Sequence, residues 1–196
     1  MLPTVCNMPD LRTECPALLP KYLLSFKDPD QQVELILRAI VHWLDEAIRE
    51  FNKARETLLA QIAERNRSAK EMEKTGRIIY TFDFAHRMDH CLILTRRLLR
   101  ALDQLKRIPT AQIDRHTRKF IDAQEAELVA ARDIIEHLTE IALGSKWPTQ
   151  GSLFPRLTND QLGIEVGGKV VTFTQLASVL RRLHAIAGRL LDRPNK

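Results

Sequence analysis

The stretch DPDQQVELILRAIVHWLDEAIREFNKARETLLAQIAERNRS, residues 28–68, decides the fold class. Val33, Leu37, Ile40, Leu44, Ala47, Phe51, Ala54 and Leu58 recur at alternating steps of four and three, which makes a heptad seam about 25 residues long. Asp28-Pro29-Asp30 reads as its start: Asp28 accepts from the free amides, Pro29 takes the first helical position, and Asp30 lies favourably against the helix dipole. The pattern dissolves near Glu64-Arg65-Asn66-Arg67-Ser68, the expected first connection.

Downstream the device repeats. From about Glu71 to Arg107, Phe84, Met88, Cys91, Thr95, Leu98, Leu102 and Leu105 form a second seam. Ile78, Ile79, Phe82, Leu92, Ile93 and Leu99 widen it, so this helix needs more than one neighbour. Pro109 ends it, and Thr110 is placed to cap a third helix running to Leu143 before Gly144 closes it. Long helices joined by short turns pack antiparallel, because each apolar stripe needs a partner within reach. Near the C-terminus, Ile164-Glu165-Val166, Gly167-Gly168 and Lys169-Val170-Val171-Thr172-Phe173 carry a hairpin signal. Thr172 or Thr174 then caps a last helix whose inner face is Leu176, Val179, Leu180, Leu183, Ile186 and Leu190.

The reading is therefore all-α: an antiparallel bundle of three long helices plus a C-terminal helix, with a small β-hairpin between the third and last helices. Residues 1–29 form a Pro-rich arm, since five of the nine prolines lie there and bar a long helix. One short helical turn is expected at Leu18 to Phe26, docked by its apolar side chains. Residues 30–144 make the three-helix core. Residues 145–196, a loop over 145–160 followed by the hairpin and the last helix, complete the same single domain.

Composition agrees. The 196 residues are 44% apolar and 28% charged, with only seven glycines. No G-x-S-x-G, Walker or dinucleotide glycine pattern occurs, which argues against the common hydrolase, NTPase and dehydrogenase chemistries. Three cysteines, Cys6, Cys15 and Cys91, are an odd number without a CxxC pair, so a reducing, cytoplasmic compartment is the simpler expectation. Cys91 sits on a seam and reads as a core residue. Apolar runs are only a few residues long, which argues against a membrane partner. The seams can also be completed by a second copy, which makes a homodimer an expectation.

The net charge of +5 is unevenly spread. Between Arg96 and Lys119 lie Arg96, Arg97, Arg100, Lys106, Arg107, Arg115, Arg118 and Lys119 against two acids. The tail from Lys169 adds Arg181, Arg182, Arg189, Arg193 and Lys196 against Asp192 alone, whereas residues 120–143 are acidic. If the two basic stretches meet they form a patch that attracts phosphates; Arg96, Arg97, Arg100, Arg107, Arg115, Arg118 and Lys119 are the candidate nucleic-acid contacts. Solvated faces balancing the acidic stretch are the plainer account, and the same band would equally serve a protein partner.

Two clusters could carry chemistry. Asp83-x-x-His86-x-x-Asp89-His90 puts positions 83, 86 and 90 on one helix face, and His86 and His90 at i,i+4 could share a metal ion if a facing helix supplied His42, Glu46 or His137. A polar stripe explains these residues more cheaply, so no metal or cofactor is assigned. The other cluster is Arg132-Asp133-Ile134-Ile135-Glu136-His137. By itself it reads as a helix-surface ion pair of Arg132 with Glu136 or Glu125 beside a half-buried His137.

The same six residues have the form R-x4-H with a polar residue after the arginine, which resembles the signature of the HEPN superfamily, helical bundles that include many metal-independent ribonucleases. Over residues 31–191 the helix organisation is similar too. The resemblance implies an RNA-directed protein, a ribonuclease of a defence or toxin system. His137 would act as general base or acid on a ribose 2′-hydroxyl, Arg132 would clamp the scissile phosphate, and Asp133 would orient the pair. Family members that cut RNA usually pair two such motifs across a dimer.

Overall fold

In the computed structural model, Asp30 ends an extended backbone (φ −89°, ψ 105°) and its carboxylate accepts from the amides of Gln32 and Val33, which starts the long helix. The structure describes residues 3–25, 30–76, 79–111, 113–123, 155–166 and 169–192. The cap is thus Asp30 and not Asp28, which lies outside the described residues together with Pro29: Asp30 is the residue whose side chain reaches the first free amides.

The helices in chain order are α1 (Leu19–Ser25), α2 (Gln31–Arg65), α3 (Ala69–Thr75), α4 (Thr81–Lys106), α5 (115–123) and α6 (Phe173–Leu191). Strands β1 (Arg156–Leu157), β2 (Gly163–Val166) and β3 (Lys169–Thr172) precede α6. The described chain is mostly helical with one small antiparallel sheet of order β1-β2-β3.

The expected second helix is broken in two. Ser68 and Glu71 form a reciprocal capping box that starts α3. Gly76 then stops it at φ 74°, ψ 179°, a backbone state open only to glycine. The chain re-enters helix at Thr81, where the amide of Tyr80 donates to Gln61 near the far end of α2. At the opposite end the Thr110 hydroxyl donates to the Asp30 carboxylate at 2.8 Å. These two ties make α2 and α4 antiparallel. Their seams, Leu37, Leu44 and Phe51 against Met88, Leu98 and Leu102, are buried to 1% exposure or less, and each such side chain contributes about 1.5–3 kcal/mol.

Thr110 therefore does not cap the third helix. A 3-10 turn, Pro109–Ala111, intervenes, and Asp114 caps α5 by accepting from the amide and hydroxyl of Thr117. Helix α6 is capped by Thr172, whose hydroxyl accepts from the Gln175 amide, and it enters beside α4 through an edge-to-face contact of Phe84 and Phe173.

The expected hairpin is present, with Gly163 opposite Thr172 and Ile164 opposite Val171. A third strand adds to it. Arg156 pairs with Glu165 and Leu157 with Ile164, in a stretch expected to be loop. The Arg156 guanidinium binds the Glu165 carboxylate at 2.8 Å, so the strand is held by side chains as well as by the ladder.

The N-terminal arm is part of the core. Met8, Leu11, Cys15, Leu18 and Tyr22 are buried in one apolar cluster with α2, α4 and α6. Asp45 of α2 accepts from the amides of Leu18 and Leu19 at the start of α1, and Asn52 accepts from the Leu11 amide at 3.0 Å. Gln161, at φ 60°, accepts through its side-chain oxygen from the amides of Thr4 and Val5 and so fastens the arm to the loop before β2.

Candidate functional site

Ile113, just before α5, and Thr117, Phe120 and Ile121 on it turn inward, and this spacing leaves Arg115, His116, Arg118 and Lys119 on the outside. Helix α6 presents Arg182 and Arg189, seven residues apart and so on one face. The Arg182 guanidinium lies 4.4 Å over the Phe120 ring, and Arg189 donates to the Thr117 hydroxyl at 3.4 Å. Between them runs a groove of about 680 Å³, lined by Asp114, His116 and Thr117 on one side and Arg182, Ile186 and Arg189 on the other. The two basic stretches of the sequence therefore meet.

Among the described residues Asp114 is the one acid in this lining. Hydrogen bonds from the Thr117 hydroxyl and amide hold its carboxyl below the usual carboxylate range, and the same bonds commit its oxygens to the cap. The lining is thus cationic at Arg182 and Arg189, with His116 as a third nitrogen group.

The candidate contacts read from the sequence fare unevenly. Arg96 is only 7% exposed, so it belongs to the helix interface and not to an open basic band. Arg107 bonds Asp103 at 2.6 Å, and Lys106 bridges Asp103 and Asp122, so these charges are matched locally. Arg118 donates from Nε to the Ile113 carbonyl. Arg97, Arg100, Arg115 and Lys119 are exposed. The groove's own arginines, Arg182 and Arg189, and His116 were absent from that set. The two arginines were signalled only as part of the basic tail and His116 by nothing, because the pairing of α5 with α6 is a tertiary fact. Arg132, Asp133 and His137 lie outside the described residues.

A second polar cluster lies between α2 and α4. Glu50 is 2% exposed and receives Arg87 at 2.9 Å and Lys53 at 3.2 Å. Burial alone would push its carboxyl up, but the hydrogen bonds from Arg87 and Lys53 outweigh this and hold it below its ordinary value. One turn earlier on α2, Glu46 pairs with Arg49. A ligating atom from each of Glu46, Glu50 and His90 falls within 4.8 Å of the others. Asp83 and His86 are exposed and outside this cluster, so the sequence set Asp83, His86, His90 is not brought together. Glu46 also borders a groove of about 640 Å³ between the arm and α2, together with Cys15, His42 and Lys53.

Among the described residues no helix is long and apolar enough to cross a membrane. The class defined by fold and site is a basic, mostly helical protein with a cationic groove between its last two described helices. The chain matches no protein-family model, no curated protein and no solved structure.

Proposed function

We propose that the protein binds a polyanion, RNA, through the α5–α6 groove. The supporting observation is the convergence of Arg182, held on Phe120, with Arg189, tied to Thr117: two guanidiniums with restricted motion on one wall of a groove. A guanidinium fixed before binding loses less freedom when it takes a phosphate oxygen, and its fork geometry suits that acceptor. Stacking groups for bases are sparse along this face, so backbone charge carries the binding and sequence selectivity is low. The choice of RNA among polyanions, and metal-independent cleavage at Arg132 and His137, come from the HEPN resemblance.

The test is titration of a fluorescent RNA against the protein at several salt concentrations. Affinity falls steeply with salt in the native chain and is lost in the double variant R182E/R189E, with the helical spectrum retained. Unchanged affinity in that variant defeats the reading. Incubating RNA with the protein in chelator separates the second part: degradation that vanishes in His137→Ala supports cleavage, and equal degradation by both proteins removes it while leaving the binding.

A further inference from the structure

We propose that Glu46 and Glu50 of α2 and His90 of α4 form a divalent metal site, open toward the groove beneath the N-terminal arm. The site is independent of the α5–α6 groove and of any RNA reading.

The geometry comes from the antiparallel pairing. Glu46 and Glu50 are one turn apart, so both carboxylates leave the same face of α2. The Arg87–Glu50 bond fixes the level at which α4 crosses, and His90, three residues on, arrives at that level from the other helix. Ligands about 2.1 Å from one ion in tetrahedral order lie roughly 3.5 Å apart, so atoms within 4.8 Å need only a small side-chain adjustment.

Two carboxylates brought together between packed helices repel each other, and one of them, Glu50, is almost fully withdrawn from water. The present compensation comes from Arg49, Lys53 and Arg87, whose side chains are 59%, 42% and 37% exposed. Arg49 and Lys53 are the more exposed of these and can swing into solvent at little loss, whereas Arg87 stays on the buried Glu50. A divalent ion held by all three ligands takes the place of the two mobile cations with one compact charge.

The donor set selects the ion. One imidazole nitrogen with two carboxylates suits zinc or a similar borderline cation; magnesium and calcium prefer oxygen alone. Because Glu46 lies on the rim of the 640 Å³ groove, an ion held there could take water or a small ligand from that space. Sequence reading anticipated His90 and Glu46, chose His86 as the partner, and missed Glu50.

The test uses the whole chain, stripped with chelator and desalted, titrated with zinc chloride by calorimetry and with cobalt chloride by visible absorption. The expected result is one zinc per chain, cobalt ligand-field bands stronger than those of the aqueous ion, and a raised melting temperature. His90→Ala and Glu46→Gln should each weaken binding at least tenfold, while His86→Ala binds as the native chain does. No saturable zinc binding, cobalt bands like those of the free ion, binding unchanged in His90→Ala, or binding lost in His86→Ala would each overturn the site. The cobalt spectrum of the native chain decides the matter even if a variant does not fold.

Discussion

The guanidinium of Arg182 lies 4.4 Å above the ring of Phe120, joining two basic stretches that are some sixty residues apart in the chain. Cation–π contact holds the arginine over the ring without using its N–H donors for a carboxylate, so those donors stay available to an incoming anion. Arg182→Ala is expected to weaken RNA binding to a similar degree across unrelated sequences. It should also lower the slope of log affinity against log salt by about 1, as loss of one phosphate contact requires. Phe120→Leu, which keeps an apolar side chain in the core, tests whether the ring positions the arginine. Affinity drops in that variant with the melting temperature little changed if it does.

The parts of the fold legible in the sequence are those set by local spacing. The α2 seam and the α6 face follow from steps of three and four, and β2–β3 follows from a glycine pair between β-branched runs. The parts that were not legible depend on the backbone or on distant partners. Gly76 falls inside the span read as one helix from about Glu71 to Arg107, yet its positive φ divides α3 from α4. Strand β1 has two residues and exists because Glu165 and Ile164 offer it an edge. At the site, Glu50 beside Phe51 reads as a solvent-facing residue of an amphipathic helix. It is buried where α4 packs on α2, and its partner Arg87 lies 37 positions away, which nothing near Glu50 announces. Arg96 is the converse case, a basic residue whose helix face is covered by its neighbours.

Two glycines should respond to substitution for different reasons. At Gly163 an added Cβ would overlap the Val171 carbonyl oxygen and sit 2.8 Å from Thr172 Cα. Both are backbone atoms of the paired strand and cannot rotate away. Gly163→Ala should cost about 1–3 kcal/mol, measured by denaturant unfolding. At Gly76 nothing lies within 4 Å of an added Cβ, so the cost of Gly76→Ala is conformational, about 1–3 kcal/mol from φ 74° alone. Gly76→Asn should recover little of the loss, because asparagine's tolerance of positive φ belongs to the left-handed helical region and Gly76 lies at ψ 179°, and Gly163→Asn should recover none.

The cysteines should separate by environment in alkylation. Cys91 is fully buried on the α2–α4 seam, and burial pushes its thiol up to about 12, so it stays protonated and shielded at any ordinary pH. Burial likewise raises the Cys15 thiol. Iodoacetamide at pH 8 is therefore expected to modify half-buried Cys6 first. Cys91 should react only at the rate of global unfolding, followed by mass spectrometry of the peptides. Labelling of Cys91 as fast as Cys6 would show that the seam opens locally.

Lys106 binds Asp103 and Asp122 at 2.7 and 2.6 Å and so clamps the end of α4 to α5, the helix that carries one wall of the groove. The hydrogen bond from Lys106, with Arg107 adding to it, holds the Asp103 carboxyl below its ordinary 3.8, and the bonds to Asp103 and Asp122 lift Lys106 above 10.5. A depressed carboxyl contributes stability above pH 3.8 that is lost as pH falls through the folded value. A raised ammonium contributes stability below pH 10.5 that is lost as pH rises through its folded value. The clamp is therefore complete between about pH 4 and 10 and weakens on both sides. These side chains are partly exposed, so the whole contribution is about 0.5–1 kcal/mol, a change of about 1–4 °C in melting temperature. Lys106→Met should lower the plateau by that amount and flatten the alkaline limb, while Asp103→Asn should flatten the acid limb. If both variants retain the native profile, the junction of α4 with α5 is held by its apolar contacts and the ion pairs contribute nothing to placing the groove.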